Sequence, residues 1–261
     1  MLAVFEQAIA HAPAGLDARV HLQGTTSAKN QELTGMSGME MLNAFKERQV
    51  AVHFGQGSGL AYSLDYQKEL LRPRAFVSQE NVFLLFKGHL SNMNQLRQMY
   101  GITKAVTEEL LIIEVYKALR DRAPYPADVA VKHLEGAFGF VLFDQNNSTI
   151  FAATDARNGV GMHWGTATDG SLVFADSKEL IKGCGTSAAP FPNGFYFSNF
   201  ERGLVNYEKP NHSVKAVPHV NSSGQLCGAF FKVDSQAQME NAIKSGMHQV
   251  GSEMEINPWQ Y

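Results

Sequence analysis

Asn81-Val-Phe-Leu-Leu-Phe-Lys-Gly-His-Leu-Ser-Asn-Met-Asn-Gln-Leu-Arg-Gln-Met-Tyr-Gly101 carries the decisive local pattern. Its apolar, β-favouring run from Val82 to Phe86 has the length of a strand buried on both faces. Lys87-Gly88-His89 interrupts the run. Asn92 then stands at an N-cap position before Asn94–Tyr100, where Leu96 and Met99 recur at helical spacing. Strand, glycine turn and helix in succession leave backbone N–H groups free at the turn, and such groups cradle an oxyanion or phosphate. A lone glycine turn is also the ordinary way out of a strand, so the flanking sequence has to decide.

Downstream, residues 107–120 form the strongest helix in the chain. Thr107 is a capping candidate, and Leu110, Leu111, Ile112, Ile113, Val115 and Leu119 wrap most of the circumference. Such a helix is covered on more than one side; the sheet and a second subunit are the candidates. Pro124 and Pro126 prevent its continuing, and a short helix, Ala127–Leu134, follows. From residue 136 the rhythm is β. Ala137–Asp144, Ser148–Asp155, Gly161–Thr166 and Leu172–Ala175 lie at hairpin spacing, joined by Asp/Asn/Gly turns. Gly194–Phe200, Gly203–Tyr207, Val214–Val220 and Gln225–Val233 complete the set, with one or two helical turns at Ser177–Lys182.

Upstream, residues 2–9 read as a strand and 12–36 as a long polar loop. Residues 37–48 read as a helix opened by a Ser37/Glu40 capping box. Gln49–Phe54 and Gly59–Leu64 are short strands. The order predicts an α+β fold: two antiparallel sheets with helices on their outer faces. No βαβ unit with a Gly-rich phosphate loop occurs, which argues against a nucleotide-binding Rossmann domain. Residues 1–234 read as one domain and 235–261 as a C-terminal helix or flexible tail.

At 261 residues and 44% hydrophobic the chain can bury a substantial core, and a formal charge of −3 gives no reason to expect nucleic acid as a partner. Cys184 and Cys227 have neither CxxC spacing nor a His cluster beside them, so no metal site is expected. Two buried thiols are the default reading, with a disulfide left open. The first residues lack a basic segment and reach Glu6 at once, unlike a secretory signal. No apolar run has transmembrane length. The expectation is a cytoplasmic protein without membrane insertion, with nuclear or membrane-associated placement left open.

Several phrases resemble class-II glutamine amidotransferases, as in the glutaminase domain of asparagine synthetases. Lys87-Gly88-His89-Leu90-Ser91-Asn92 resembles their Asn-Gly-Glu-Ile-Tyr-Asn. Leu134-Glu135-Gly136-Ala137-Phe138-Gly139-Phe140, ending in Asp144, resembles their Leu-x-Gly-Met-Phe-Ala-Phe…Asp. Phe151–Asp155, Val173-Phe174-Ala175-Asp176-Ser177-Lys178 and Pro192-Asn193-Gly194 fall in matching order. The resemblance implies the Ntn-hydrolase αββα four-layer sandwich. A closer resemblance, over nearly all of residues 1–234, is to the plant family of aluminium-induced or stem-specific stress proteins. Its Tyr-Gly-Leu and Leu-Arg-Asp-Arg motifs stand here as Tyr100-Gly101-Ile102 and Leu119-Arg120-Asp121-Arg122.

The amidotransferase resemblance implies a mechanism in which a cysteine at the first position of the mature chain attacks the amide and its own α-amine acts as base. Here Leu2 is neither nucleophilic nor small, so Met1 is expected to stay and cover the site, and its thioether has no proton to lose. Lys87 replaces the oxyanion-hole Asn while Gly88 remains; losing one such donor removes about 3 kcal/mol of transition-state stabilisation. His89 replaces one acidic clamp for the substrate ammonium, Val106 aligns with the second, and the carboxylate-gripping Arg falls at Leu60. No residue is assigned a catalytic role and no cofactor is implied. Met1, Leu2, Leu60, Lys87, Gly88, His89 and Val106 outline a vestigial pocket.

His89 and Lys87 read as an anion site or, more simply, a solvated turn. Asp155 reads as a strand-end cap or a partner of Arg157, with a catalytic carboxylate as the alternative; Asp144 and Asp176 read as turn or cap residues. The Arg120-Asp121-Arg122 cluster reads either as a helix-end cap or as a protein-contact patch. Tyr100-Gly101 reads as a helix stop with an aromatic packed beneath. Three functions compete. The first is a non-catalytic stress- or hormone-responsive protein acting through a homo-oligomer or an unknown protein partner. The second is altered Ntn-type amide chemistry or small-anion binding, and the third is residual glutamine amidotransfer.

Overall fold

The computed structural model describes residues 1–16, 35–45, 49–63, 73–103, 105–122, 126–157, 159–200, 203–220 and 226–234. The loop expected over 12–36 lies largely outside them, and the tail expected over 235–261 lies wholly outside.

The chain begins with strand β1 (Leu2–Phe5), helix α1 (Gly38–Ala44), β2 (Gln49–Phe54) and β3 (Ser58–Ser63). Next come β4 (Arg74–Gln79), β5 (Val82–Leu90), and the helices α2 (Met93–Met99), α3 (Glu108–Asp121) and α4 (Ala127–Lys132). Strands β6 (Gly136–Asp144), β7 (Thr149–Thr154), β8 (His163–Thr166) and β9 (Leu172–Ala175) follow. A 3-10 helix (Lys182–Ser187) leads to β10 (Ala189–Pro190), β11 (Phe195–Ser198) and β12 (Gly203–Asn206). The ribbon of β13 (Val214–Val220) and β14 (Leu226–Val233) ends the described chain.

Two six-stranded sheets form, in the orders β10-β8-β9-β1-β3-β2 and β12-β11-β7-β6-β5-β4. Every pairing within them is antiparallel. Their facing surfaces share one core, in which Met1, Ala3 and Phe5 meet Leu85, Val141, Phe143, Trp164 and Phe174. Beyond the first sheet, Leu2, Val4, Val173 and Ala175 pack on Met41 and Leu42 of α1 and on Cys184. Beyond the second, Val82, Leu84 and Phe86 pack on Leu111, Ile112 and Val115 of α3 and on Ala130 of α4. Helix, sheet, sheet, helix is the expected αββα order. Burying apolar surface on both faces of both sheets, at about 25 cal/mol per Å², is its main driving force.

Local signals account for most of the elements. Ser37 and Glu40 close the capping box at α1. Gly101, at φ +68°, ends α2, with Ile102 N–H donating to the Arg97 carbonyl at 2.8 Å.

Two expectations are corrected. Lys87-Gly88-His89 does not leave the strand: β5 runs on to Leu90, paired with β6 in continuous register. Gly88 is needed because its φ is +122° and a Cβ there would lie 2.0 Å from the Ala137 carbonyl oxygen. Its N–H donates to the Pro73 carbonyl at 2.9 Å, so it is not a free turn donor. The second correction concerns α3. Its apolar circumference is covered within the chain, by β4 and β5 on one side and by α2 and α4 on others. A second subunit is not required to cover it.

Candidate functional site

The site begins with a strand the sequence reading did not identify. β4 pairs with β5 so that Arg74 lies directly opposite Lys87. By strand alternation Arg74 shares the face of Phe76, which stacks on Tyr62 of β3, and Lys87 shares the face of Leu85 in the inter-sheet core. Both cations thus stand on the inner face of the second sheet, at its end. Opposite them, on the first sheet, β1 and β9 bring the start of the chain beside Asp176.

There the Met1 α-ammonium donates to Asp176 Oδ1 at 2.9 Å, and the Arg74 guanidinium pairs with the other carboxylate oxygen. The side chains of Met1, Asp176 and Arg74 keep only 5, 2 and 9% of their surface exposed. The Asp176 N–H donates to the Met1 carbonyl at 3.3 Å, and the Tyr62 hydroxyl donates to the Arg74 carbonyl at 2.8 Å. Lys87 is buried nearby. Burial pushes the Met1 amine below its ordinary pKa against the pull of Asp176, and the positive charges of Arg74 and Lys87 push the same way. Tyr62 is raised, chiefly by burial. His163, on β8 opposite Ala175, is lowered by burial, with Glu179 opposing.

Only part of the set expected to outline a pocket comes together: Met1 and Leu60 share a core and Lys87 acts on the Met1 amine, while Leu2, Val106 and His89 lie elsewhere. Met1 and Leu60 lie in the inter-sheet core. Leu2 faces away, toward α1, and so does not line the same pocket. Val106 packs at the margin of the helix-side core. His89 is 61% exposed and its Nδ1 lies 2.8 Å from Glu108, whose other oxygen accepts the Leu90 N–H at 3.0 Å. His89 and the buried Lys87 therefore do not form one anion site.

Sequence reading missed Arg74, Asp176, Tyr62 and His163. The signals were thin: a charged residue directly after the apolar run Leu172–Ala175, and a short alternation from Arg74 to Gln79. Cys184 lies behind the first sheet with Met41, its Sγ 4.0 Å from the Met41 sulfur, and burial pushes its thiol up to about 12. Burial thus favours the thiol over the nucleophilic thiolate there.

The motif residues build structure. Tyr100 hydroxyl and His133 Nδ1 are 3.0 Å apart. Arg120 Nη1 donates to Asp144 Oδ2 at 3.2 Å and its Nε to Asp121 at 2.7 Å, while the Tyr116 hydroxyl donates to Asp144 at 3.0 Å. Arg122 is exposed at the α3 C-cap. Asp155 accepts the N–H groups of Phe138, Arg157 and Gly159, which makes it a turn clasp. Among the described residues no group of His, Cys, Asp and Glu is arranged to hold a metal, and no helix is long and apolar enough to cross a membrane.

Residues 2–233 match the family described as aluminium-induced protein. The chain belongs to that family. The stem-specific protein TSJT1 of Nicotiana tabacum is 39% identical over 153 residues, 59% of this chain and 99% of that protein. A probable glutamine-hydrolyzing asparagine synthetase of Dictyostelium discoideum is 30% identical over 65% of this chain but only 28% of its own length. This member of the aluminium-induced family thus spans about a quarter of that synthetase's length, and 15% of the asparagine synthetase 2 of Arabidopsis thaliana, with which it is 30% identical over 33% of its own length. Among solved structures, glutamine phosphoribosylpyrophosphate amidotransferase of B. subtilis aligns at TM-score 0.41 and 16% identity, over 57% of this chain and 34% of that one. A glutamine aminotransferase class-II domain protein of Silicibacter pomeroyi aligns at 0.39 and 9% identity, over 60% and 88%.

Proposed function

We propose that the chain is a non-catalytic relative of the class-II glutamine amidotransferase domain, a plant stress- or hormone-responsive cytoplasmic protein that acts through self-association or a protein partner. The observation that carries this reading is the state of the α-amine at Met1. A base of N-terminal nucleophile chemistry has to be free to take a proton from its own side chain. This one is hydrogen-bonded to Asp176 on a residue whose side chain is a thioether. Gly88 N–H is engaged with the Pro73 carbonyl, which removes the remaining oxyanion donor of the resemblance.

The test is glutamine hydrolysis by the purified chain, together with labelling by a glutamine-mimicking electrophile and intact-mass analysis. No turnover above blank, no adduct and a mass that includes Met1 are the expected results. Turnover, or an adduct at a newly exposed first residue, overturns the reading.

A second reading, small-anion binding or altered amide chemistry in the same corner, is favoured by the meeting of the Met1 ammonium, Arg74 and Lys87. Inorganic phosphate that raises the melting temperature of the wild type but not of Lys87→Gln would support it. Equal shifts in both proteins would remove it.

A further inference from the structure

β2 is an outer strand of the first sheet, and among the described residues no strand pairs with its far side. Edge strands are ordinarily blunted by a charge, a proline, a bulge or extreme shortness. Other outer strands here follow that rule: β10 is two residues long and contains Pro190, β12 has four residues, and β4 opens with Arg74. β2 does not. Gln-Val-Ala-Val-His-Phe carries no Asp, Glu, Lys or Arg and no proline. Its register against β3 runs through six consecutive pairs without a shift. Ala51 and His53 are exposed, and Val50 is 39% exposed.

Resting on the self-association reading above, we propose that β2 pairs antiparallel with β2 of a second copy about a twofold axis, joining two first sheets edge to edge. A twofold axis perpendicular to the sheet keeps like faces together, so opposed residues must have the same parity along the strand. With the axis at Ala51, Val50 opposes the copy's Val52. Apolar meets apolar, and no like-charged pair of Asp, Glu, Lys or Arg is created within the strand. Val52 already packs on the inter-sheet core, so the joined strands extend that core across the axis. Self-pairing also fixes the length and register of the partner strand, which an unrelated extended peptide would not.

Light scattering and sedimentation of the full chain over a range of concentrations test this, comparing wild type with Ala51→Lys, Ala51→Thr and Phe200→Ser. Ala51→Lys sets two ammonium groups face to face on the axis, on an exposed position that the folded monomer tolerates. The wild type is expected at twice the chain mass and Ala51→Lys at the chain mass with an unchanged circular dichroism spectrum. Ala51→Thr, and Phe200→Ser at a different exposed apolar site, should keep the double mass. A monomeric wild type overturns both this proposal and the self-association reading. A dimeric Ala51→Lys overturns the β2 surface alone. Should Ala51→Lys not fold, hydrogen exchange of the wild type decides: alternate amides of β2 gain protection as concentration rises, and protection independent of concentration refutes the pairing.

Discussion

Two buried aspartates, Asp144 and Asp176, each pair with an arginine, yet they are built in opposite ways. Asp144 lies at the end of β6 and is held mainly by its own neighbourhood. It accepts the N–H groups of Asn146 and Asn147, the Asn147 amide, the Tyr116 hydroxyl and Arg120. Asp176 is held by two cations from distant parts of the chain, one of them 175 positions away. The first carboxylate fastens a hairpin turn to α3; the second ties the beginning of the chain to both sheets. Buried charge placed by local turn chemistry is robust, whereas buried charge placed by topology depends on the whole fold being present.

Removing the carboxylates separates the two designs. Asp176→Ala leaves the Met1 ammonium and the Arg74 guanidinium buried without their shared anion, and it is expected to cost about 3–5 kcal/mol of stability in urea titrations. Asp144→Ala is expected to cost less, about 2–3 kcal/mol. Arg120 is 28% exposed and retains Asp121, so its charge stays solvated and paired. An Asp176→Ala protein no less stable than Asp144→Ala would erase the distinction.

Acidity distinguishes them next. Burial disfavours the ionised Asp144, but hydrogen bonds from Asn147, Arg120 and Tyr116 outweigh it and hold the carboxyl below its ordinary value. Its stabilisation is therefore full above the unfolded value near 3.8 and is lost as pH falls through the lower folded value. The Met1 amine is depressed from 8.0, chiefly by burial, so its protonated form opposes folding. That penalty is full below the folded value and fades as pH rises toward 8.0. The urea midpoint should rise as pH climbs toward 8.0 in the wild type, and blocking the amine with a neutral group should abolish the part of that rise lying above the ordinary histidine range. Asp144→Asn should change only the acid limb. The smallest effect belongs to Asp121→Asn, an exposed partner of Arg120, whose thermal midpoint should stay within a degree or so of the wild type.

The same contrast explains what the sequence could disclose. Strands β6 to β9 were legible because their Asp, Asn and Gly turns are local, and the Ser37/Glu40 box marked the start of α1 within a residue, though the helix ends at Ala44 rather than at 48. The Asp144 corner was half legible, since Arg120 belongs to a recognisable motif. Gly88 was misjudged as a turn because a glycine after an apolar run looks the same whether it ends a strand or lets two strands approach closely. Nothing local marks Arg74 as the partner of Asp176; only the pairing of β4 with β5 and of β1 with β9 brings them together.

β1 sits between β3 and β9, in the interior of its sheet. One side of its ladder is met by Gly59–Ala61 and the other only by Leu172–Ala175. Leu2, Val4 and Phe5 therefore have no completed sheet to enter until a segment far along the chain is ordered beside them. Closure of the first sheet is a long-range event whose loop entropy makes it slow.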